Sequence, residues 1–535
     1  MKMWAIAYLV VPLSLALAAC APSSPAPAET SAPTKAAQPA APTAVAPAAQ
    51  PTAVPKATGK TTLTVALNGE PAKLDPSQPV GRLNEIANTL LFDSITTRDA
   101  QGNLKPALAV SWNRLNDTTW QFKLRPSVKF HNGEEFNADT VKYNLEQLLL
   151  RPEANSPHRT FVQTIKQVDV VDPLTVNIVT NGPDVLLPAR LSDLYGVMAP
   201  AKYYQQVGPE GFAQKPVGSG PFKFVEFQKD RYLKLATNDD YWGTKPPFKE
   251  LILRPIVDDS ARMAALLAGE VDIASNVPYV RVNDLKGNPN LQLVNAHTTR
   301  YYFGVFNTNV KPFDDKRVRQ AVNYALDVDS IIKNLFIGYG TRIASVFNPS
   351  TFGYDPNIKP YPYDPAKAKQ LLAEAGYPNG LDTEFDSFTG SLVDHSKLSE
   401  VIVSQLAQVG IRAKLNVSDF GVFGPRRLAF NTAAMYIYSL GDWAFDMGIH
   451  LPSYLEGSQG YYYKNKELFD KVAEANKTFD EAKRKAMFSD IQKDMKEDAP
   501  YIFLFQLDAI WGLGKNVQWA PPLDETWRFN TVTLK

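Results

Sequence analysis

Cysteine is almost missing from this chain: Cys20 is the single one in 535 residues. Intramolecular disulfides, CxxC redox chemistry and cysteine-based zinc sites are thereby excluded. Histidine is scarce as well. His131, His158, His297, His395 and His450 are scattered, with no HExxH spacing. An excess of one charge is lacking too, since 56 Lys+Arg face 55 Asp+Glu. That balance offers neither the basic field of a nucleic-acid binder nor an acidic tail. No residue pattern asks for a metal or an organic cofactor, and neither is expected.

What is present is ordinary for a soluble globular protein: 44% hydrophobic and 21% charged residues. The length is too great for one core, so two or three domains are expected.

The N-terminus reads as processing signal rather than fold. Lys2 supplies a short positive region, and an apolar stretch runs from Trp4 to Ala19, interrupted by Pro12. It is short of the roughly 20 residues a membrane span needs and fits a secretory signal peptide, residues 1–19. It ends in Leu17-Ala18-Ala19-Cys20, which looks like a bacterial lipoprotein box, with Cys20 as the lipidated residue. Residues 20–59 are mostly Ala, Pro, Thr and Ser and lack apolar periodicity. They read as a disordered tether that cannot bury enough surface to offset chain entropy. A body anchored this way stands outside the cytoplasmic membrane and close to it, in a periplasm or on the outer face. Loss of residues 1–19 removes one basic residue, Lys2, and takes the formal charge from +1 to zero, so anionic surfaces hold no general attraction.

From residue 60 onward strands and helices intermix. Thr61–Leu67 reads as a buried strand and Trp120–Leu124 as a half-buried one. Asn137 is placed to cap a helix that stops before Pro152. Val168–Val171 and Leu174–Val179 flank Asp172-Pro173 as a hairpin. Asp364-Pro365 opens a helix ending at Ala375-Gly376, and a further helix is expected from about Asp480 to Glu497. The pattern is that of an α/β protein of more than one domain.

Several stretches, in order along the body, carry a resemblance. They are Trp112, Leu124-Arg125-Pro126, Lys129-Phe130-His131-Asn132-Gly133 and Asn137–Val141, then Pro216–Phe222 (PVGSGPF). After them come Tyr241-Trp242-Gly243, Leu266–Ile273, Phe313–Ile331 and Tyr363–Gly376. Together they resemble the family 5 extracellular solute-binding proteins of bacterial ABC importers. Read on their own, the motifs are structural. Gly218 and Gly220 suit a tight turn and form neither a nucleophile elbow nor a Walker loop. Arg317 and Arg319 follow Asp314-Asp315 and are expected to form solvated or internal ion pairs.

The resemblance implies a two-lobed, periplasmic-binding-protein-like α/β fold of type II, with an extra subdomain in lobe I and a hinge of crossing strands. By motif position, lobe I covers residues 60–297 plus 498–535, with the subdomain at 96–196, and lobe II covers 298–497. The hinge is expected near Arg300–Asn307 and Pro500–Gln506, both extended and apolar.

For the site, Asn68 and Glu70 follow the first strand, at the edge where open α/β sheets bind ligands. Met435–Leu455 is the more informative stretch. Peptide binders of the family carry an Asp-aromatic-Pro-Asp-Pro-like segment there, whose first Asp pairs with the peptide α-ammonium. Asp442, Trp443 and Asp446 match it, with the Pro positions absent and the acids four apart. A charge-assisted bond of that kind is worth roughly 1.5–3 kcal/mol, and Trp443 could stack on a side chain or a sugar. Tyr436, Tyr438, Tyr301, Tyr302 and Trp511 are further aromatic candidates.

The expected function is the monomeric, lipid-anchored receptor of an ABC transporter, delivering a small-molecule ligand to membrane permease subunits. Peptides or oligopeptides are the first expectation and an oligosaccharide the alternative. An enzyme is not expected. The alternative from another class is a secreted glycoside hydrolase using Asp442 and Asp446 as paired carboxylates.

Overall fold

The computed structural model describes residues 60–535 apart from 72, 79–81, 155, 157, 194 and 390–393. The signal peptide, Cys20 and the tether lie outside the described residues.

An eleven-stranded mixed sheet runs through the body. Its path is Ile411–Asp419, Leu381–Thr389, Met435–Gly441, Leu291–Phe306, Tyr501–Gly514, Ile273–Ala274, Thr62–Leu67, Glu250–Pro255, Tyr232–Thr237, Phe222–Gln228. Gly340–Arg342 pairs beside Tyr501–Gly514. Two lobes therefore share one sheet, joined at its centre by two long antiparallel strands. These are the crossing strands read from the sequence, but each is longer than the apolar run that marked it. Leu291–His297 pairs with Gly514–Asp508, and Tyr301–Val305 with Gln506–Tyr501. The register shifts between His297 and Tyr301, and shifts of this kind bend and twist a strand.

A separate four-stranded antiparallel sheet comprises Ala109–Asn116, Thr119–Leu124, Thr175–Thr180 and Ile165–Asp172. The hairpin closes with Asp172 opposite Thr175. The sheet has its own core, including Phe122, Val141, Leu145, Val168 and Ile178.

Capping follows the sequence closely. Asn137, Asp364 and Asp480 each accept a backbone N–H three residues on, at Thr140, Lys367 and Lys483. Gly376 has φ 94° just past the helix Pro365–Glu374, which a residue with Cβ enters at a cost.

The glycine motif works differently from the turn expected of it. Neither Gly218 nor Gly220 has positive φ. A Cβ at Gly218 would lie 1.9 Å from the Leu91 carbonyl oxygen, and one at Gly220 would lie 2.6 Å from the Leu91 carbonyl carbon. Both glycines are required by close backbone approach to the helix Arg82–Leu91. Tyr241 Oη and Trp242 Nε1 donate to buried Asp93 at 2.9 and 2.8 Å, and Ser219 Oγ at 2.9 Å. These motifs fasten the fold rather than the ligand. Arg317 pairs with Asp315 at the surface. Arg319 is buried and binds the carbonyls of Phe313, Asp314, Asp498 and Ala499.

Candidate functional site

A cleft of about 400 Å³ opens beside the crossing strands. Asn68, Glu70, Arg82, Tyr279, Thr298, Arg300, Tyr302, Phe420, Asp508, Trp511, Glu525 and Trp527 are among the residues lining it. It draws on the end of the first strand, both crossing strands, the second lobe through Phe420, and the C-terminal segment. Asn68, Glu70, Tyr302 and Trp511 are thus brought to one cleft. Glu70 Oε2 accepts from the Asp230 backbone N–H at 2.7 Å, and Trp511 packs edge-on against Trp519.

The floor is charged. Arg300 grips Glu525 through Nε at 3.0 Å and Nη2 at 2.8 Å, and reaches Ser439 Oγ at 3.2 Å. Burial pushes the Glu525 carboxyl up, but Arg300 and Arg82 outweigh it and leave it below its ordinary value. Arg82 donates to the Asp524 carbonyl and lies 4.2 Å over the Trp443 ring. Burial is also the main cause lowering the Arg82 pKa.

Trp443 leads from the cleft into the contact between the lobes. There Arg98 Nη2 donates to the Ala444 carbonyl, and the Val185 N–H donates to the Asn476 carbonyl at 3.1 Å. Leu186, Ala444 and Ile449 form a small apolar cluster with Phe161, Val185 and Ala189. Asp442 sits beside it, fully buried. Its Oδ2 accepts from Thr351 Oγ1 at 2.7 Å, and its Oδ1 has no hydrogen-bond partner. Burial pushes its pKa up to about 6, against the lowering effect of Thr351. His450 Nε2 is 3.8 Å from Asp442 Oδ1, too far for a hydrogen bond. Burial holds His450 down at about 4, so near neutral pH the imidazole is uncharged and the two form no ion pair.

The remaining sequence candidates are engaged in the fold. Asp446 caps the helix Met447–Leu455 by accepting from Gly448 N at 2.9 Å. Both its oxygens are held by Arg484, at 2.6 and 2.7 Å. The Asp442–Asp446 pair is therefore not two free carboxylates. Tyr301 is fully buried and bonded to the Tyr454 hydroxyl at 2.7 Å. Tyr436, also fully buried, donates to the Gly460 carbonyl at 2.7 Å. Tyr438 carries the Arg427 guanidinium 4.3 Å over its ring.

Sequence reasoning passed over Arg82, Arg98, His158, Tyr195, Arg300, His450 and Glu525. Scarcity of histidine was the available signal for His158 and His450, but 292 positions separate them, and only the tertiary fold brings His450 to Phe161, the ring that His158 meets three residues away.

The fold and site have clear relatives. Residues 103–462 match the model of bacterial extracellular solute-binding proteins, family 5. A glutathione-binding protein GsiB from Pectobacterium atrosepticum is 32% identical over 457 residues, covering 82% of this chain and 87% of that one. Among solved structures, the periplasmic binding protein DppA from Helicobacter pylori, in complex with the peptide STSA, aligns with TM-score 0.79. It is 27% identical, with 88% of this chain and 98% of that one covered. AgaA from A. tumefaciens R10, in complex with agropinic acid, also gives TM-score 0.79, at 25% identity, with 89% of this chain and 99% of that one covered. With a matched model across most of the body and two lobes around a charged cleft, the chain belongs to the family 5 bacterial extracellular solute-binding proteins, the substrate-binding components of ABC importers.

Proposed function

We propose that this receptor captures short peptides, binding their α-ammonium group at Asp442 between the closing lobes. The observation that carries the reading is the buried Asp442 carboxylate, whose Oδ1 is unpartnered at the contact between the lobes. Thr351, the Phe445 backbone N–H and the Arg98 charge offset only part of the cost of burying this carboxylate, and a cationic group supplies a further partner. Asp442 does not line the cleft of about 400 Å³ but adjoins it through Trp443 and Arg82, and a cleft of that size suits a ligand of a few residues. The relatives named for glutathione and crystallised with STSA support the same class. The Trp443 ring is occupied by Arg82, which weighs against a sugar platform.

The domain limits that go with this reading are lobe I at 60–297 plus 498–535, its subdomain at 96–196, and lobe II at 298–497. The register shift between His297 and Tyr301 supports a hinge there, about which ligand contacts with both lobes would drive closure. Cys20 is the lipid anchor and permease subunits are the partners. A diacylglyceryl group on Cys20, found by mass spectrometry of the membrane-extracted protein, would test the anchor; an unmodified Cys20 sinks it.

Thermal melting with pools of di- and tripeptides, oligosaccharides or nickel chelates tests the ligand class. Peptides at about 100 times their dissociation constant should stabilise the protein by roughly 2.7 kcal/mol, a shift of several degrees. That shift should vanish in Asp442→Asn. A shift with sugars alone, or one that survives Asp442→Asn, overturns the reading.

A further inference from the structure

The subdomain places a second set of unpartnered polar atoms against the same contact. His158 is 4% exposed, and among the described residues neither ring nitrogen has a hydrogen-bond partner. The Tyr195 hydroxyl is equally buried and equally alone. Ring contacts link these residues to the Asp442 side of the contact. His158 meets Tyr195 at 5.2 Å, Tyr195 stacks on Phe161 at 4.2 Å, and Phe161 meets His450 at 5.7 Å. His450 Nε2 and Asp442 Oδ1 are the unpartnered atoms across from them.

A histidine of the fabric behaves otherwise in this protein. His131 is also held neutral by burial, at about 4, but both its nitrogens are used: Nε2 with the Gly220 carbonyl at 3.0 Å, and Nδ1 with the Gly218 N–H at 3.2 Å. Buried polar groups are rarely left unbonded, and each one left alone costs about 1–3 kcal/mol. Five such atoms, on four side chains of facing elements of the two lobes, mark a surface built to be completed by something else.

We propose that His158, Phe161 and Tyr195 of the subdomain, with His450, form the compartment for the side chain of the ligand's first residue, and that it selects an uncharged side chain bearing both donor and acceptor, such as a carboxamide. This rests on the reading of Asp442 as the ammonium site. A neutral imidazole offers one donor and one acceptor, and a hydroxyl offers both. A carboxamide, with an N–H donor and a carbonyl acceptor, can answer both. An aliphatic side chain of the same shape leaves the polar atoms unpaired, which is the situation in which sites discriminate most strongly. A charged side chain of either sign would be buried among neutral groups, with Asp442 already engaged by the ammonium.

The test uses the detergent-solubilised full chain and the tripeptides Asn-Ala-Ala, Leu-Ala-Ala and Lys-Ala-Ala, titrated calorimetrically. Asn and Leu are nearly isosteric, so their ratio isolates the hydrogen bonds. Asn-Ala-Ala should bind at least about tenfold more tightly than Leu-Ala-Ala. In Tyr195→Phe and His158→Phe that ratio should fall below about threefold. Tyr195→Phe removes one hydroxyl only and keeps the test open where His158→Phe does not fold. Peptide binding with no preference for Asn, or with the same preference in both variants, overturns the compartment and leaves the Asp442 reading standing. No binding by any peptide overturns both.

Discussion

Asp442 and Asp446 stand four residues apart and have opposite fates, because of what each meets on burial. Asp446 meets a guanidinium in bidentate geometry and is fixed. Asp442 meets a hydroxyl, the Phe445 backbone N–H and a neutral imidazole, and no guanidinium grips it. Replacing Asp446 by Asn breaks a buried pair and leaves Arg484 uncompensated, which should cost about 3–5 kcal/mol, read as a lower denaturant midpoint. Asp442→Asn should do the reverse. A carboxyl raised to about 6 when folded contributes stability below its unfolded value near 3.8, and that contribution is lost as pH rises through 6. At pH 7.5 the Asn variant should therefore be at least as stable as the wild type while losing peptide affinity. Wild-type affinity for an ammonium-bearing peptide should also fall below about pH 6, approaching tenfold per pH unit, as Asp442 takes up a proton. His450, the imidazole beside it, stays neutral down to about 4. Calorimetric titration from pH 7.5 to 5 checks this; a flat profile, or the same slope in Asp442→Asn, removes Asp442 from the ammonium site.

At the scale of elements, what the sequence made legible was what local chemistry decides. Caps at Asn137, Asp364 and Asp480, the hairpin at Asp172 and the apolar crossing strands all follow from short-range rules, and the structure contains them. What stayed hidden depends on distant chain segments. Gly218 looked like a turn residue because its partner, the Leu91 carbonyl, is more than a hundred positions away. The charged floor was hidden likewise, since Arg300 and Glu525 meet only across the completed sheet. Gly448 illustrates the same rule in the second lobe. A Cβ there would lie 1.9 Å from Asn476 Oδ1 and 2.7 Å from Arg484 Nη2. Gly448→Ala should therefore displace the Arg484–Asp446 clamp and destabilise the protein by about 1–3 kcal/mol, although alanine favours a helix. Thermal melting distinguishes the two: a higher melting temperature would show that the clamp has room to move. Gly218→Ala meets backbone rather than side chain, and should be the more damaging of the pair.

For the whole molecule, buried histidine sets the response to acid. His131, His158 and His450 are held at about 4 and His395 at about 3, each chiefly by burial. Unfolding returns them to about 6.5. Between roughly pH 6.5 and 4 the unfolded chain therefore binds more protons than the folded one, and stability falls with pH. Asp93 and Asp442, raised to about 6, act in the opposite sense between about 6 and 3.8. Of these six groups alone, four against two leave a net uptake of about two protons on unfolding, worth about 2.7 kcal/mol per pH unit; Asp75 and Asp193, also raised by burial, oppose it, and Asp524 and Glu525, held low, add to it. The histidines differ in where they sit. His131 is pinned between Gly218 and Gly220, and His395 stacks on Phe388 at 3.9 Å within its lobe. His158 and His450 instead flank Phe161 where the subdomain meets the second lobe. Separation of the lobes hydrates that pair without unfolding either lobe, so closure should yield to acid before the fold does. Peptide binding and far-ultraviolet circular dichroism, followed together from pH 7.5 to 4.5, should show affinity lost while the dichroism persists, with the melting temperature falling steadily below pH 6.5. A melting temperature that stays level or rises over that range would mean that the buried imidazoles do not govern the acid limb, and loss of binding only in step with the dichroism would mean that the lobes do not part first.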